Sequence, residues 1–222
     1  TDKIIKIPLG VNTKKFVPTN QTNKVKIRNL LGIPKDSILI GSFQKDGIGW
    51  GEGLKPKLIK GPDIFVKTLK ILSDKGLPIY ALLTGPARGY IKKELNKNNI
   101  PFYHSFVQNI EELVPLYQAL DIYLITSREE GGPLGLIESM SCGIPVVTTR
   151  VGMSEDVINK NILGEISDTF DPKIIAYKIE KTIDSYSSNK NESQLAIRKN
   201  IIKCDWEEIA KQHWEKVYKN LI

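Results

Sequence analysis

Short apolar runs alternate along the chain with stretches in which apolar residues return every three or four positions. Residues 37–43 (Ser-Ile-Leu-Ile-Gly-Ser-Phe), 78–84, 121–125 and 145–149 carry unbroken apolar and β-branched character, the mark of strands covered on both faces. Residues 62–72 place Ile64, Phe65, Leu69 and Leu72 at helical spacing. The same periodicity predicts helices over 25–31, 90–98, 111–120, 172–184, 194–204 and 205–218, the last capped by Asp205. Short strands are expected at 3–7, 101–107 and 163–166, and a polar loop at 185–193.

Strand and helix alternate throughout, so the expected fold is α/β: a Rossmann-like parallel sheet with helices on both faces, joined by right-handed crossovers. A chain of 222 residues and 25.0 kDa is long enough to close one such domain over residues 1–222. Ligands of these folds sit outside the carboxyl ends of the strands, where glycine-bearing turns lead into helices. Two such turns stand out, Gly85-Pro86-Ala87-Arg88-Gly89 and Glu130-Gly131-Gly132-Pro133-Leu134-Gly135.

In the second turn Gly131 and Gly132 let the backbone approach a guest, and the N–H groups of Leu134 and Gly135 at a helix start suit an anion such as a diphosphate. Pro133 shapes the turn without donating a hydrogen bond. Glu130 precedes the helix and Glu138 lies inside it, so one carboxylate borders the anion site and the other rises from beneath. Carboxylates repel phosphate and accept hydrogen bonds from paired sugar hydroxyls. The plainer reading is a turn whose glutamates cap and solubilise a helix.

Residues 44–61 form a long glycine-rich connection whose glycines do not follow G-x-G-x-x-G and which has no Gly-Lys-Ser/Thr, disfavouring a dinucleotide cofactor or a P-loop. Trp50, in this loop, either clamps a ligand or anchors the loop.

Glu130, Glu138 and the following Ser-Met-Ser-x-Gly-x-Pro-Val-Val resemble the signature of the retaining GT-B glycosyltransferases, specifically family 4 (glycosyl transferases group 1). Glu-Gly-Gly-Pro and Glu-Ser-Met-Ser stand here for the usual Glu-Gly-Phe-Gly and Glu-Ala-Met-Ala, small residues staying small. The resemblance implies one half of a GT-B fold, the C-terminal donor-binding domain. Residues 1–20 would be the interdomain junction and residues 205–222 the terminal crossover helix, with the N-terminal acceptor domain absent. It implies that Glu130 meets the transferred sugar and Glu138 the ribose. Lys60 matches the family lysine that neutralises the diphosphate, whereas Ser42 after Gly41 stands where an arginine is usual. Lys45 is the candidate replacement, or equally a surface lysine. Gly85 falls in the family's Gly-x-Gly turn, Arg88 binds phosphate or pairs with a neighbouring acid, and Phe106 and Val107 border the base.

The implied substrate is a UDP-, GDP- or ADP-sugar, with no cofactor and no metal expected, an unknown glycan, lipid or small-molecule acceptor, and an isolated fragment that is inactive. The alternatives are a nucleotide-sugar-binding module without turnover, or a GT-B-like epimerase or phosphorylase. Composition narrows the partners. Two histidines and two cysteines, Cys142 and Cys204, give no metal spacing and no disulfide framework. No apolar run reaches membrane-span length, and no signal peptide is recognisable, so a cytoplasmic location is expected. The net charge of +7 admits nucleic acid, anionic lipid or a phosphorylated substrate. A solvated basic surface accounts for most of it; no nucleic-acid partner is expected, and peripheral membrane contact of a full-length enzyme stays open.

Overall fold

The computed structural model describes residues 4–158, 164–188 and 190–221. Six strands form one parallel sheet: β1 (Ile38–Phe43), β2 (Ile79–Thr84), β3 (Phe102–Ser105), β4 (Ile122–Ile125), β5 (Val146–Thr149) and β6 (Gly164–Ser167), in the order β3-β2-β1-β4-β5-β6. The chain winds outward from β1 in one direction and from β4 in the other. These two strands pair at the centre through Ile40 with Ile122 and Gly41 with Tyr123. That reversal is the topological switch point, where loops diverge and leave a crevice at the carboxyl ends.

The helices are α1 (Gln21–Leu30), α2 (Pro62–Asp74), α3 (Gly89–Lys97), α4 (Ile110–Ala119), α5 (Leu134–Ser141), α6 (Ser154–Val157), α7 (Pro172–Ser188), α8 (Lys190–Ile201) and α9 (Trp206–Lys216). The pleat sorts strand side chains between two cores. Leu39, Leu82, Tyr123, Ile125 and Val146 face the core shared with α1, α4, α5 and α8, where Ile27, Leu116, Leu136 and Ile197 are buried. Their neighbours Ile40, Ala81, Leu83, Ile122, Leu124 and Val147 face the opposite core, filled by Phe65, Leu69, Ile91 and Ile179 of α2, α3 and α7. The expected α/β sheet with helices on both faces is what the chain builds.

Two local expectations change. Ile4 to Ile7 form no strand: Ile4 is 80% exposed, Pro8 removes a donor, and the segment pairs only at Val11, whose N–H donates to Cys204 and whose carbonyl accepts from Trp206. The expected loop at 185–193 is helical over its described residues, 185–188 in α7 and 190–193 in α8. Tyr186 decides this, because it is buried and its hydroxyl donates to the Gly143 carbonyl at 3.1 Å, while its neighbours Ser185, Ser187 and Ser188 line the solvent side. Strand β6 is described over Gly164–Ser167; Leu163, expected to open it, lies outside the described residues. Asp205 caps α9 as expected, accepting from the Glu207 N–H.

Candidate functional site

A crevice of about 380 Å³ opens at the carboxyl ends of β1 and β4. Its floor comes from β4 and from Phe43 and Gln44 at the end of β1; its far wall is the turn and first residues of α5. Gly132, Pro133, Leu134 and Gly135 line it, and so do both Glu130 and Glu138. Pro133 is the N-cap residue of α5, so the N–H groups of Leu134 and Gly135 belong to the first turn and have no partner within the helix. Gly135 is required for close packing: a Cβ there would lie 2.1 Å from the Tyr123 hydroxyl. A second concavity, near Arg28 and Asp121, lies at the opposite end, where β1 and β4 begin, and no turn glycines border it.

Lys60 reaches the crevice from a single 3-10 turn (Leu58–Lys60) that leads into α2. The turn fits tightly against the end of β4. Gly61 adopts φ of 64°, a Cβ on it would lie 1.8 Å from the Thr126 carbonyl, and the Thr126 hydroxyl donates to the Gly61 carbonyl at 2.8 Å. The Lys60 ammonium pairs with the Glu130 carboxylate, which also accepts from the Ser127 hydroxyl at 3.1 Å. Cation and acid, 70 residues apart in sequence, therefore meet in the crevice. A diphosphate or sugar entering there meets a lysine and a glutamate that already neutralise each other.

Glu138 rests on an aromatic platform. Phe43, Tyr117 and Tyr123 pack with ring centroids 4.6 to 5.5 Å apart, and the Tyr117 hydroxyl donates to Glu138 Oε2 at 2.6 Å. Burial pushes the Glu138 carboxyl above the ordinary glutamate range, and the Tyr117 hydrogen bond pulls against it. Burial likewise pushes both tyrosines up, so each stays a neutral phenol. A half-buried carboxylate oriented by a phenol is a hydrogen-bond acceptor held in one place.

Lys60, Glu130, Gly132, Pro133, Leu134, Gly135 and Glu138 thus converge on one crevice, with Gly131 exposed at the turn beside it. Other expected positions do not join them. Arg88 is 1% exposed and spent inside the fold: its guanidinium donates to the carbonyls of Ser42, Gln44 and Thr84 and to the Ser42 hydroxyl, and its Nε sits 3.1 Å from Asp46, an ion pair without hydrogen-bond alignment. The alternative of pairing with a neighbouring acid is the one realised. Burial pushes the Asp46 carboxyl up while Arg88 pulls it down.

Gly41 and Ser42 lie within β1 and outside the crevice. A Cβ on Gly41 would run into Leu120, and the small Ser42 leaves room for Arg88. The Lys45 ammonium stands 3.5 Å over the Trp50 ring, so it too is turned to its own loop. Trp50, 87% exposed, anchors nothing in the core. Gly85, at φ of 98°, packs on the Gln44 carbonyl, and its own carbonyl meets His104 Nε2 at 3.0 Å, which gives that histidine a structural bond. Phe106 is exposed, and Val107 packs against the core around Tyr117.

Sequence reasoning passed over Phe43, Gln44, Tyr117 and Tyr123. The tyrosines sit in apolar periodic segments and read as core. Their hydroxyls were the one signal, because a buried phenol needs a partner.

The glycosyl transferases group 1 family matches residues 54–203, and the chain belongs to that family. Among proteins with assigned activities, the D-inositol 3-phosphate glycosyltransferase of Xylanimonas cellulosilytica is 28% identical over 77% of this chain and 40% of its own length. The structure of a glycosyltransferase from Rickettsia africae superposes with a TM-score of 0.79 at 22% identity, covering 99% of this chain and 57% of that one. Anabaena HepE, solved in complex with UDP and glucose, superposes with a TM-score of 0.72 at 19% identity over 96% of this chain and 56% of its own. The chain therefore spans about half the length of the proteins it matches.

Proposed function

We propose that the chain is the donor half of a retaining, family 4 glycosyltransferase that binds a nucleoside-diphosphate sugar in the crevice between β1 and β4. The observation that carries this is the convergence of the α5 amino terminus, Lys60, Glu130 and Glu138 on one cavity. The helix-start amides and Lys60 take the diphosphate and stabilise the charge that grows on the departing nucleotide, where a preorganised field lowers the barrier most. Glu138, held by Tyr117, accepts the ribose hydroxyls. Glu130 accepts a hydroxyl of the transferred sugar once Lys60 turns from it to phosphate. Lys60 then finds its opposite charge in the phosphate, and Glu130 stays hydrogen-bonded through the sugar hydroxyl and the Ser127 hydroxyl. The positive charge is assigned to Lys60 and backbone amides, and no residue is assigned to a metal. The acceptor is assigned to a second domain of the kind that makes up the remaining length of the relatives.

Calorimetry of the chain with UDP, GDP and ADP and their sugars tests the reading. One nucleoside diphosphate should bind in preference to the others, and Glu138→Ala should weaken it at least tenfold, about 1.4 kcal/mol. Equal affinity in the variant removes the ribose role. Binding that never leads to transfer when a complete enzyme is assembled would leave only a donor-binding module.

A further inference from the structure

The connection from β1 to Lys60 is an ordered structure whose apolar side chains point away from the protein. Its backbone is stitched down. Gly47 bridges Pro56, Ile48 N–H donates to Lys55 at 2.9 Å, and Lys57 N–H donates to Asp46 at 2.7 Å. The loop also docks on the start of α3, where Gly89 and Tyr90 N–H donate to the carbonyls of Glu52 and Gly53 at 2.6 and 2.9 Å. Glycine is required at the contact, since a Cβ on Gly47 or Gly53 would lie 2.2 or 2.1 Å from the Ala87 carbonyl. Beneath it all lies the buried pair of Asp46 and Arg88.

None of this uses the large side chains. Ile48 is 59% exposed, Trp50 87% and Leu54 59%, and Leu58 and Ile59 follow at 52% and 40%. A dense group of exposed apolar residues on a fixed loop marks a surface that meets something apolar. The charges nearby say what. Between residues 44 and 59 the lysines Lys45, Lys55 and Lys57 face the single exposed acid Glu52, because Asp46 is buried. The Lys45 ammonium already stacks on the Trp50 ring. Tryptophan and aliphatic side chains among lysines suit the boundary between headgroups and acyl chains of an anionic bilayer. The exposed tryptophans of α9 sit in a different field: Trp206 and Trp214 lie among Glu207, Glu208 and Glu215 as well as Lys211 and Lys216, so no excess of positive charge favours an anionic surface there.

We infer that the loop centred on Ile48, Trp50 and Leu54 is a membrane-contact surface that docks this chain on anionic lipid. No described helix is long and apolar enough to cross a membrane, so the contact is interfacial. The loop joins the crevice directly, since Gln44 at its start and Lys60 at its end both line it. Docking by this loop holds the mouth of the crevice at the bilayer surface.

Vesicle flotation tests the inference without any nucleotide, so its outcome is independent of the donor reading. The chain should float with vesicles of phosphatidylglycerol and phosphatidylcholine in equal parts and stay below with phosphatidylcholine alone. Ile48→Ser combined with Trp50→Ser should cut partitioning about tenfold. Lys55→Glu combined with Lys57→Glu should cut it similarly and flatten its dependence on salt. All four side chains are exposed, so circular dichroism melts should be unchanged. Absence of flotation, flotation equal in wild type and the Ile48/Trp50 variant, or equal binding to neutral vesicles overturns the inference; a loop that contacts only a sugar or a protein gives the first of these.

Discussion

Glu138 combines two opposed influences on one carboxyl, and both can be titrated. Burial raises it above the ordinary glutamate value of 4.5, and the Tyr117 hydrogen bond lowers it. Because the folded value is raised, the protonated form is favoured in the native state. Glu138's contribution to stability is therefore greatest below the unfolded value and is lost as pH rises through the folded one. Ligand affinity runs the other way if the ionised carboxylate grips a ribose. Nucleotide binding should weaken on acidification at a higher pH than an exposed glutamate would dictate. Tyr117→Phe removes the stabilising donor, so the midpoint should move further upward, measurable as affinity against pH by calorimetry. An unmoved midpoint would mean that another group controls the titration. Lys60→Met tests the opposite side: nucleoside diphosphate should weaken by roughly 1.5–3 kcal/mol, the range of a charge-assisted bond, while nucleoside alone binds unchanged.

At the scale of elements, the site depends on how closely α5 approaches the end of β4. The start of α5 touches the Tyr123 ring, whose hydroxyl is fixed by the Phe43 backbone, accepting its N–H at 3.2 Å and donating to its carbonyl at 3.3 Å. Gly135→Ala should force that contact apart, at a cost of about 1–3 kcal/mol read from urea melts, and should weaken anion binding as the helix start shifts. The amino ends of the strands are secured differently. Asp121, opening β4, accepts from Arg28 Nη2 at 2.6 Å, Lys24 Nζ at 2.7 Å and the Leu39 N–H at 2.9 Å, and so joins α1 to β1. Burial pushes the Asp121 carboxyl up, but Lys24 and Arg28 together overcome it and hold it below its ordinary range. With a depressed folded value, this stabilisation is present above the unfolded value and lost as pH falls through the folded one. Asp121→Ala takes the counter-charge from Arg28 and weakens the hold on Lys24, so a loss of about 3 kcal/mol is expected in thermal or urea unfolding. A loss within about 0.5 kcal/mol, the range of an ordinary surface substitution, would show that the cations are satisfied by carbonyls alone.

For the whole molecule, the sheet divides two cores, and the two ends of the described chain are laced together on one side of it. Val11 sits between Cys204 and Trp206, the Thr13 hydroxyl donates to Asp205 at 2.5 Å, and Arg198 donates to the carbonyls of Thr13 and Phe16. Asp205 serves both this lacing and the α9 cap, so Asp205→Ala should cost about 1–2 kcal/mol by denaturant melt and loosen α9 before the sheet. Hydrogen exchange would show this as faster exchange in α9 with β1 and β4 unchanged.

The α/β architecture and the turn at Glu130 were legible because they are local: apolar runs, helical spacing and glycines at turns act over a few residues. The convergence of Glu130, the α5 start and Glu138 follows from one strand-turn-helix unit, and the sequence alone determined it. Lys60 was legible as a cation, but its pairing with Glu130 depends on β1 and β4 becoming neighbours. Arg88 and Lys45 went the other way. Asp46, buried beneath the loop, captures the first, and Trp50 draws the second over its ring. The serine-rich stretch around Tyr186 read as loop because its polarity is local, while the cavity that Tyr186 fills is made by Gly143 and distant helices. Sequence set which residues are chemically able to act; tertiary structure decided which of them face the crevice, because the charge partners that claim or release a side chain are brought together only when the sheet closes.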